Sequence, residues 1–494
     1  MNRSASVAAK LPECERKDLA ILALTGSETV RALADRHNVS RKFVYEQVSK
    51  AGAALDDAFA PVVTNVADEV LFMLPVTDRF LQQVTLALTL ICHSSYRGVV
   101  EFMRDVLGAS ISLGRVHDIH QQAAQQADAI NCGQDLSAIR VGLHDELFQG
   151  AQPVLAGVDA RSTYCYLLAA EAQRDGDTWY VHLHDAKAQG LDPDYTIADA
   201  GSGLRAGQKL AWGDTPCHGD VFHIQHQCET LVNLRTRIAM EARNRRKKLQ
   251  TLIDRGFRQN QDGLLVAQLK PLCQAEARTH VLALELRTLV QWLGRDILAL
   301  AGPDLATRQE LFDFVVDELR RREHEDVRRI RPVRRALQNQ RDDLLAFAGV
   351  LDGKLAAIAQ AEQVPDYLVR AACVLHRKPT SSPAYWQGWS RLRSKMGSRF
   401  HAVFSAVSQA LANTPRSSSL VENLNSRLRN YFTLRRHLGN AYLGLLQFFL
   451  NHRRFMRSRH VGRVGRSPRE VMTGQPHPHW LTLLGLGTLQ SQRA

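Results

Sequence analysis

Two periodicities share this chain. From Ile139 to Leu168, and again at Tyr195–Ala198, apolar residues alternate or run in short blocks cut by turn residues. Nearly everywhere else they recur every three or four positions. The first pattern predicts strands, the second amphipathic helices. Ile139–Glu146, Pro153–Asp159 and Thr163–Leu168 read as three strands, separated by Gln149-Gly150-Ala151-Gln152 and by Arg161-Ser162. Short strands joined by such turns predict an antiparallel meander. A helix is expected over 178–188, then a strand at Tyr195 that ends on an acid and a glycine-rich turn, Asp199-Ala200-Gly201-Ser202-Gly203.

Upstream, Thr29–Val48 predicts a helix-turn-helix. Leu33 and Ala34 belong to one helix, Asn38-Val39-Ser40 to the turn, with Ser40 as N-cap, and Phe43, Val44 and Val48 to the inner face of the second helix. Arg41, Lys42, Tyr45 and Gln47 are expected on its outer side, where a recognition helix meets the major groove. A second unit of this kind is considered at 96–129, with Ser112, Arg115 and Asp118 facing outward; an ordinary packed hairpin explains it equally well. Leu71–Leu74 reads as a short strand or linker. Residues 229–411 read as nearly all helix, with a basic block at Arg243–Lys248.

Composition narrows the partner. The 494 residues exceed one ordinary core, so two to four domains are expected. A hydrophobic content of 45% argues against disorder. Lys+Arg 63 against Asp+Glu 50 leaves +13, a balance that favours a polyanion such as nucleic acid. The positive charge concentrates late: Asn423 to Arg469 holds eleven Arg and no Lys, Asp or Glu. Arg427, Arg429, Arg435, Arg436, Arg453 and Arg454 are therefore candidate phosphate contacts, as arginine binds phosphate bidentately. No apolar run of membrane-spanning length and no secretory signal are visible. The eight cysteines form no C-x-x-C pair and read as reduced thiols of a cytosolic protein.

Three acids sit where strands or helices could aim them at one point: Asp145, Asp199 and Glu422, the last within Ser417-Ser-Ser-Leu-Val-Glu422-Asn-Leu-Asn-Ser-Arg-Leu-Arg429. Asp145 competes with Glu146, since alternation sends neighbours to opposite faces, and with Asp159 at the next strand end. Asp199 also suits a plain turn. The spacings, 199−145 = 54 and 422−199 = 223, require the fold to assemble any site they share. Just after the expected fifth strand comes Asp220-Val-Phe-His223. A zinc site from Cys217, His218, His223, His226 and Cys228 fits poorly, because paired ligand spacings are missing.

The order β-β-β-α-β is that of the RNase H-like fold, and the chain resembles the DDE transposases of bacterial insertion sequences. Asp145 takes the place of that family's first Asp at the end of the first strand. Asp199-Ala-Gly-Ser matches its Asp-x-Gly-Ser, and Glu422 its late helical Glu. Asn451-His-Arg-Arg-Phe455 and Gly465-Arg-Ser-Pro-Arg-Glu470 resemble the family's tail. Asp220 and His223 resemble the C/D-x-x-H signature of Mutator-like and hAT-like transposases and would act as auxiliary active-site residues. The resemblance covers roughly 139–228 and 412–474.

It implies an RNase H-like core, 131–228 and 412–475, split by an all-helical insertion, 229–411. A helix-turn-helix DNA-binding region at 1–130 would precede it and a tail, 476–494, would follow. It implies two Mg²⁺ or Mn²⁺ ions on Asp145, Asp199 and Glu422, cleaving transposon ends and joining the freed 3′-OH to target DNA. The implied partners are terminal inverted repeats, target duplex and further copies of the chain, in a bacterial cytoplasm at the nucleoid. A catalytically silent DNA-binding regulator and an RNase H-like nuclease or resolvase are the competing readings.

Overall fold

The computed structural model describes residues 11–59, 72–257, 263–434, 438–458, 461–488 and 492–493. By its internal contacts the chain divides into Met1–Leu74 with Ser491–Ala494, and Pro75–Gln490. The division falls well before residue 130, the boundary expected from the sequence.

The smaller unit holds helices α1 (Glu13–Leu24), α2 (Val30–Arg36) and α3 (Arg41–Phe59), and strand β1 (Phe72–Met73) paired antiparallel with the C-terminal β7 (Gln492–Arg493). Leu19, Leu33, Ala34 and Val44 are its buried core, with Val39, Phe43 and Val48 packed around them. Ser40 caps α3, its hydroxyl accepting the Phe43 amide at 3.1 Å, and Asn38 takes the left-handed conformation that ends α2. Arg41, Lys42 and Tyr45 are exposed on α3. Gln47, expected beside them, is instead buried: it is three residues from Val44 and shares the inward stripe.

The larger unit is mostly helical around one five-stranded sheet. Helices α4 (Asp78–Leu90), α5 (Tyr96–Leu107) and α6 (Leu113–Cys132) lead into β2 (Val141–Gln149), β3 (Gln152–Asp159) and β4 (Cys165–Ala170). Then come α7 (Gly176–Ala188), β5 (Tyr195–Ala198), α8 (Ser202–Trp212) and β6 (Cys217–Gly219). The sheet order is β4-β3-β2-β5-β6, antiparallel across β4-β3-β2 and parallel across β2-β5-β6. The meander expected from the alternation is present. The parallel pairs follow because α7 and α8 cross over the sheet between strands.

The sheet is the middle of three layers. One face packs Leu143, Val154, Ala156, Val158 and Ile197 against α6, α17 (Ser419–Leu434) and α18 (Asn440–His452). The other packs Leu155, Tyr166 and Ala198 against Trp179, Leu183 and Leu204 of α7 and α8. Helix α6, weighed as a second recognition helix, buries Ile119, Ala123, Ala124 and Ala127 in the first layer. Its outward candidates are engaged locally: Ser112 caps α6 through the Arg115 amide, and Arg115 pairs with Asp78 at 2.9 Å. The Ala-rich stripe lets α6 lie close against α18, so a packed helix is the better account of it.

Between β6 and α17 the described residues form helices and turns only. Helices α9 (Val221–Phe257) and α10 (Gly263–Trp292) bury Leu231 and Val232 against Leu282 and Leu286. There follow α11 (Leu305–Arg322), α12 (Val327–Asn339), α13 (Arg341–Glu362), α14 (Asp366–Leu375), α15 (Pro383–Met396) and α16 (Phe400–Ala412). Helix α13 alone among the described helices is long and apolar enough to cross a membrane, yet its Leu344, Leu345, Phe347, Leu351 and Leu355 are buried in the insertion's clusters. Buried Arg308 in α11 donates to the Ala299, Leu300 and Pro303 carbonyls, satisfying the turn that leads into α11. After α18 come α19 (Pro468–Thr473) and α20 (Trp480–Leu483), and all eight cysteines are free.

Candidate active site

The parallel register aligns three aspartates. Val141 pairs with Tyr195 and Leu143 with Ile197, so a further two positions bring Asp145 opposite Asp199. Thr196 pairs with Cys217 and Ala198 with Gly219, and the Asp220 amide donates to the Ala198 carbonyl at 3.1 Å. The sequence spacings are therefore the registers: 199−145 = 195−141 = 54, and 220−199 = 217−196 = 21. Neighbouring strands lie about 4.8 Å apart, so three carboxylates share one edge of the sheet.

Asp145 does not end its strand, as had been expected. Strand β2 runs on to Gln149, paired with β3 down to Gln149–Gln152, before a turn at Gly150, whose φ of 64° suits glycine. Asp145 nevertheless lies just past the last described β2–β5 pair, and its carboxylate is buried, accepting the Glu146 amide at 2.8 Å. Its neighbours point away. His144 bonds Tyr166 Oη at 2.7 Å and Gln208 Nε2 at 2.5 Å, and Glu146 accepts from Arg174 at 2.5 Å and Trp179 Nε1 at 3.2 Å. Burial pushes the His144 imidazole down to about 3, so it is a neutral core residue. Asp159 is a buried turn cap, accepting the Arg161 and Ser162 amides at 3.2 and 2.8 Å. Of the three rival acids, Asp145 alone faces α17.

From α17, Glu422 reaches the same place. Asp145, His223 and Glu422 each offer a ligand atom within 4.8 Å of the others. Asn425, three residues beyond Glu422 on the helix, donates to Asp145 Oδ2 at 3.3 Å, and its own Oδ1 finds no partner among the described residues. His223 Nε2 lies 3.8 Å from Asp145 Oδ1 and 3.5 Å from Asp220 Oδ2. These are charge contacts at the limit of hydrogen bonding. Asp145 first, then Asp220 and Asp199, raise the His223 imidazole to about 9 against the effect of burial, so it is charged at neutral pH.

Asp199 lies outside this group. Its Oδ1 accepts the Gly201 amide at 2.9 Å, folding the carboxylate onto its own turn. It lines a cleft of about 130 Å³ with Asp220, His223, Ile224, Gln227 and Gln340. Asp220 is more enclosed: it accepts the Phe222 amide at 2.8 Å, capping α9, and both the amide and hydroxyl of Ser418, ahead of Glu422. The sequence pointed to Asp220 and His223 only through a motif likeness. Asn425 was missed; its i+3 spacing from Glu422 was the available signal.

The other candidate residues divide. Among the basic ones, Arg429 and Arg453 are exposed, and Arg453 stacks over Phe449 at 5.7 Å. Arg454 pairs with Glu470 at 3.1 Å. Arg427 is largely withdrawn from solvent, which lowers its guanidinium; it is a poor phosphate contact in this conformation. Arg435 and Arg436 lie outside the described residues. The zinc candidates do not converge: His218 stacks on Tyr195 at 4.2 Å, and Cys228 is buried in the insertion's core.

Two close carboxylates are a donor pair suited to a hard divalent cation, and His223 could add a borderline nitrogen only on losing its proton. Comparison with known proteins adds no relative: no family profile matches the chain, and no curated protein shows significant similarity.

Proposed function

We propose that this chain is a DNA transposase working by divalent-metal-dependent phosphoryl transfer on an RNase H-like core. One observation carries the reading. Asp145 and Glu422, separated by 422−145 = 277 residues, bring carboxylate oxygens within 4.8 Å of each other. Nothing local forces that meeting, and two close carboxylates repel unless a cation or a proton intervenes. The sheet order, with β2, first of its strands in the chain, at its centre and an acid following β5 and β6, supports the RNase H-like assignment, as do the ordered motifs in the sequence.

Mg²⁺ or Mn²⁺ would be held by Asp145 and Glu422, with Asp199 across the cleft as a further donor. When bound, such ions activate the attacking oxygen and stabilise the leaving one. The chain's own residues do the rest. Asp220 and Ser418 hold the Glu422 helix against β6. Imidazolium His223 balances the acids and can face a phosphate oxygen. Arg429 and Arg453 offer guanidinium groups to the DNA backbone, and Arg41, Lys42 and Tyr45 of α3 are positioned on their helix to enter a major groove.

The test is incubation with Mg²⁺ and a labelled DNA duplex carrying the element's end. Strand joining, abolished in Asp145→Asn with DNA binding retained, is the expected result. Cutting without joining would make the protein a nuclease. Binding with neither would make it a regulator.

A further inference from the structure

The stretch of chain that leads up to Glu422 has unusual charge. Between Asp366 and Glu422 there is no Asp or Glu, against eight Lys and Arg. Four of the eight serve the fold. Arg370 pairs with Asp352 at 2.6 Å and Arg377 with Asp296 at 3.0 Å. Arg399 donates to the Glu362 carbonyl at 3.0 Å, and Arg416 to the Leu298 carbonyl. Arg391, Arg393 and Lys395, all on α15, have no carboxylate partner among the described residues.

Helix α15 is oriented by its inner side, where Tyr385, Leu392 and Met396 are buried with Phe400 and Val403. That sets the opposite stripe outward: Pro383, Trp386, Gln387, Ser390, Arg391, Ser394 and Lys395 line a shallow open groove of about 760 Å³. Every polar side chain in the stripe can donate a hydrogen bond, and none is an acid. At its head Trp386 is 55% exposed, yet held in place by Nε1 donating to the Thr380 carbonyl at 2.8 Å and by the rings of Tyr385 and Trp389. Tyr367, 64% exposed, lies beneath Lys395 at 5.8 Å.

A solvated helix face with cations in its last turn explains Arg393 and Lys395 through the helix dipole. It does not explain an immobilised exposed tryptophan, a row of donors at one-turn spacing, or 55 residues without one acid. A cationic row without acids, in which every polar side chain can donate, flanked by aromatics, matches a nucleic-acid backbone, whose phosphates accept and whose sugars and bases offer apolar surface. An acidic protein partner would match the charge but leave the aromatic head unused.

We propose that the outer face of α15 docks DNA, as a contact separate from the acidic site and from the basic segment around Arg429 and Arg453. The inference rests on the transposase reading for its choice of DNA over other polyanions. The measurement is affinity of the full chain for a labelled mixed-sequence duplex, from about 50 to 200 mM salt, for wild type, Arg391→Ala/Lys395→Ala and Trp386→Ala. The double variant should bind about fivefold or more weakly at the lower salt, with the logarithmic salt slope reduced by about 2 and an unchanged circular dichroism spectrum. Trp386→Ala should weaken binding without changing the slope.

Unchanged affinity and slope in the folded double variant overturn the proposal, as does a wild type that binds no duplex or prefers anionic vesicles. Asp145→Asn separates the two readings. Strand joining by wild type that Asp145→Asn abolishes, with the DNA affinity of the double variant unaffected, sinks the docking face alone. Weakened DNA binding in the double variant of a protein that joins no strands sinks the transposase reading alone.

Discussion

Asp220 accepts hydrogen bonds from both the amide, at 3.2 Å, and the hydroxyl of Ser418, 198 residues further along the chain. The pair stitches the end of β6 to the start of α17 across the whole helical insertion. The Ser418 carbonyl also accepts the amides of Val421 and Glu422, at 2.7 and 3.2 Å, so the same residue starts the helix that carries Glu422. The position of Glu422 against Asp145 thus depends on a buried carboxylate that is itself no member of the compact acid group.

Ser418→Ala leaves Asp220 buried and short of a donor, and should cost about 1–3 kcal/mol of stability. Asp220→Ala should cost at least as much, because the Phe222 and Ser418 donors both lose their acceptor. Urea unfolding of both variants checks this. Equal stability in either would mean that the stitch contributes nothing.

Divalent cations should stabilise the folded chain through Asp145 and Glu422. At 100 times its dissociation constant a bound ion adds about 2.7 kcal/mol, so Mn²⁺ should raise the melting temperature of wild type. Asp145→Asn and Glu422→Gln should each lose that rise while folding normally. A shift retained in both variants would place the ion elsewhere.

Stability should fall as pH drops from about 6.5 towards 4. Burial holds His144 at about 3, and His218 and His452 at about 4, below the 6.5 of an unfolded histidine. Below 6.5 the unfolded chain takes up protons that the folded chain refuses, at about 1.4 kcal/mol per pH unit for each such group. His223, raised to about 9, behaves oppositely: its contribution is complete below 6.5 and is lost as pH rises through 9. It therefore adds no slope in the acid window. Urea melts at pH 7, 6 and 5 read the trend, and His144→Gln should flatten it.

Gly203 packs where a β-carbon would lie 2.1 Å from the Arg174 carbonyl oxygen. Gly203→Ala must push α8 from the loop before α7, with a cost of about 1–3 kcal/mol for overpacking. Because the turn from Asp199 to Gly203 would move with it, any metal-dependent activity should fall by more than the loss of folded protein. Activity per folded molecule, against a thermal melt, separates the two effects.

The short apolar segments at 139–168 and 195–198, cut by turn residues, were enough to place strands, because a strand covered on both faces is apolar along its length and stops where turn residues begin. Asp199 was visible for the same local reason, as an acid closing an apolar segment, whereas Asp145 lies inside β2 and Glu422 in the first turn of α17. Other features were hidden. The Ala-rich face of α6 reads alike whether a sheet or a DNA groove covers it, and only α18 shows which. Gln47 looks exposed by residue type but shares the buried stripe of Val44, and Arg427 is half-buried.

By itself the amino-acid order determined which segments are strands or helices, where the chain is basic, and that Asp199 could fold onto its own turn. Those properties depend on neighbours within a few positions. Only the tertiary structure decided that β2, β5 and β6 align with offsets of 54 and 21 residues, and that His223 joins Asp145 and Glu422. Such choices are fixed by pairing and packing between distant segments, where hydrophobic burial and hydrogen-bond satisfaction of the whole unit outweigh any local preference.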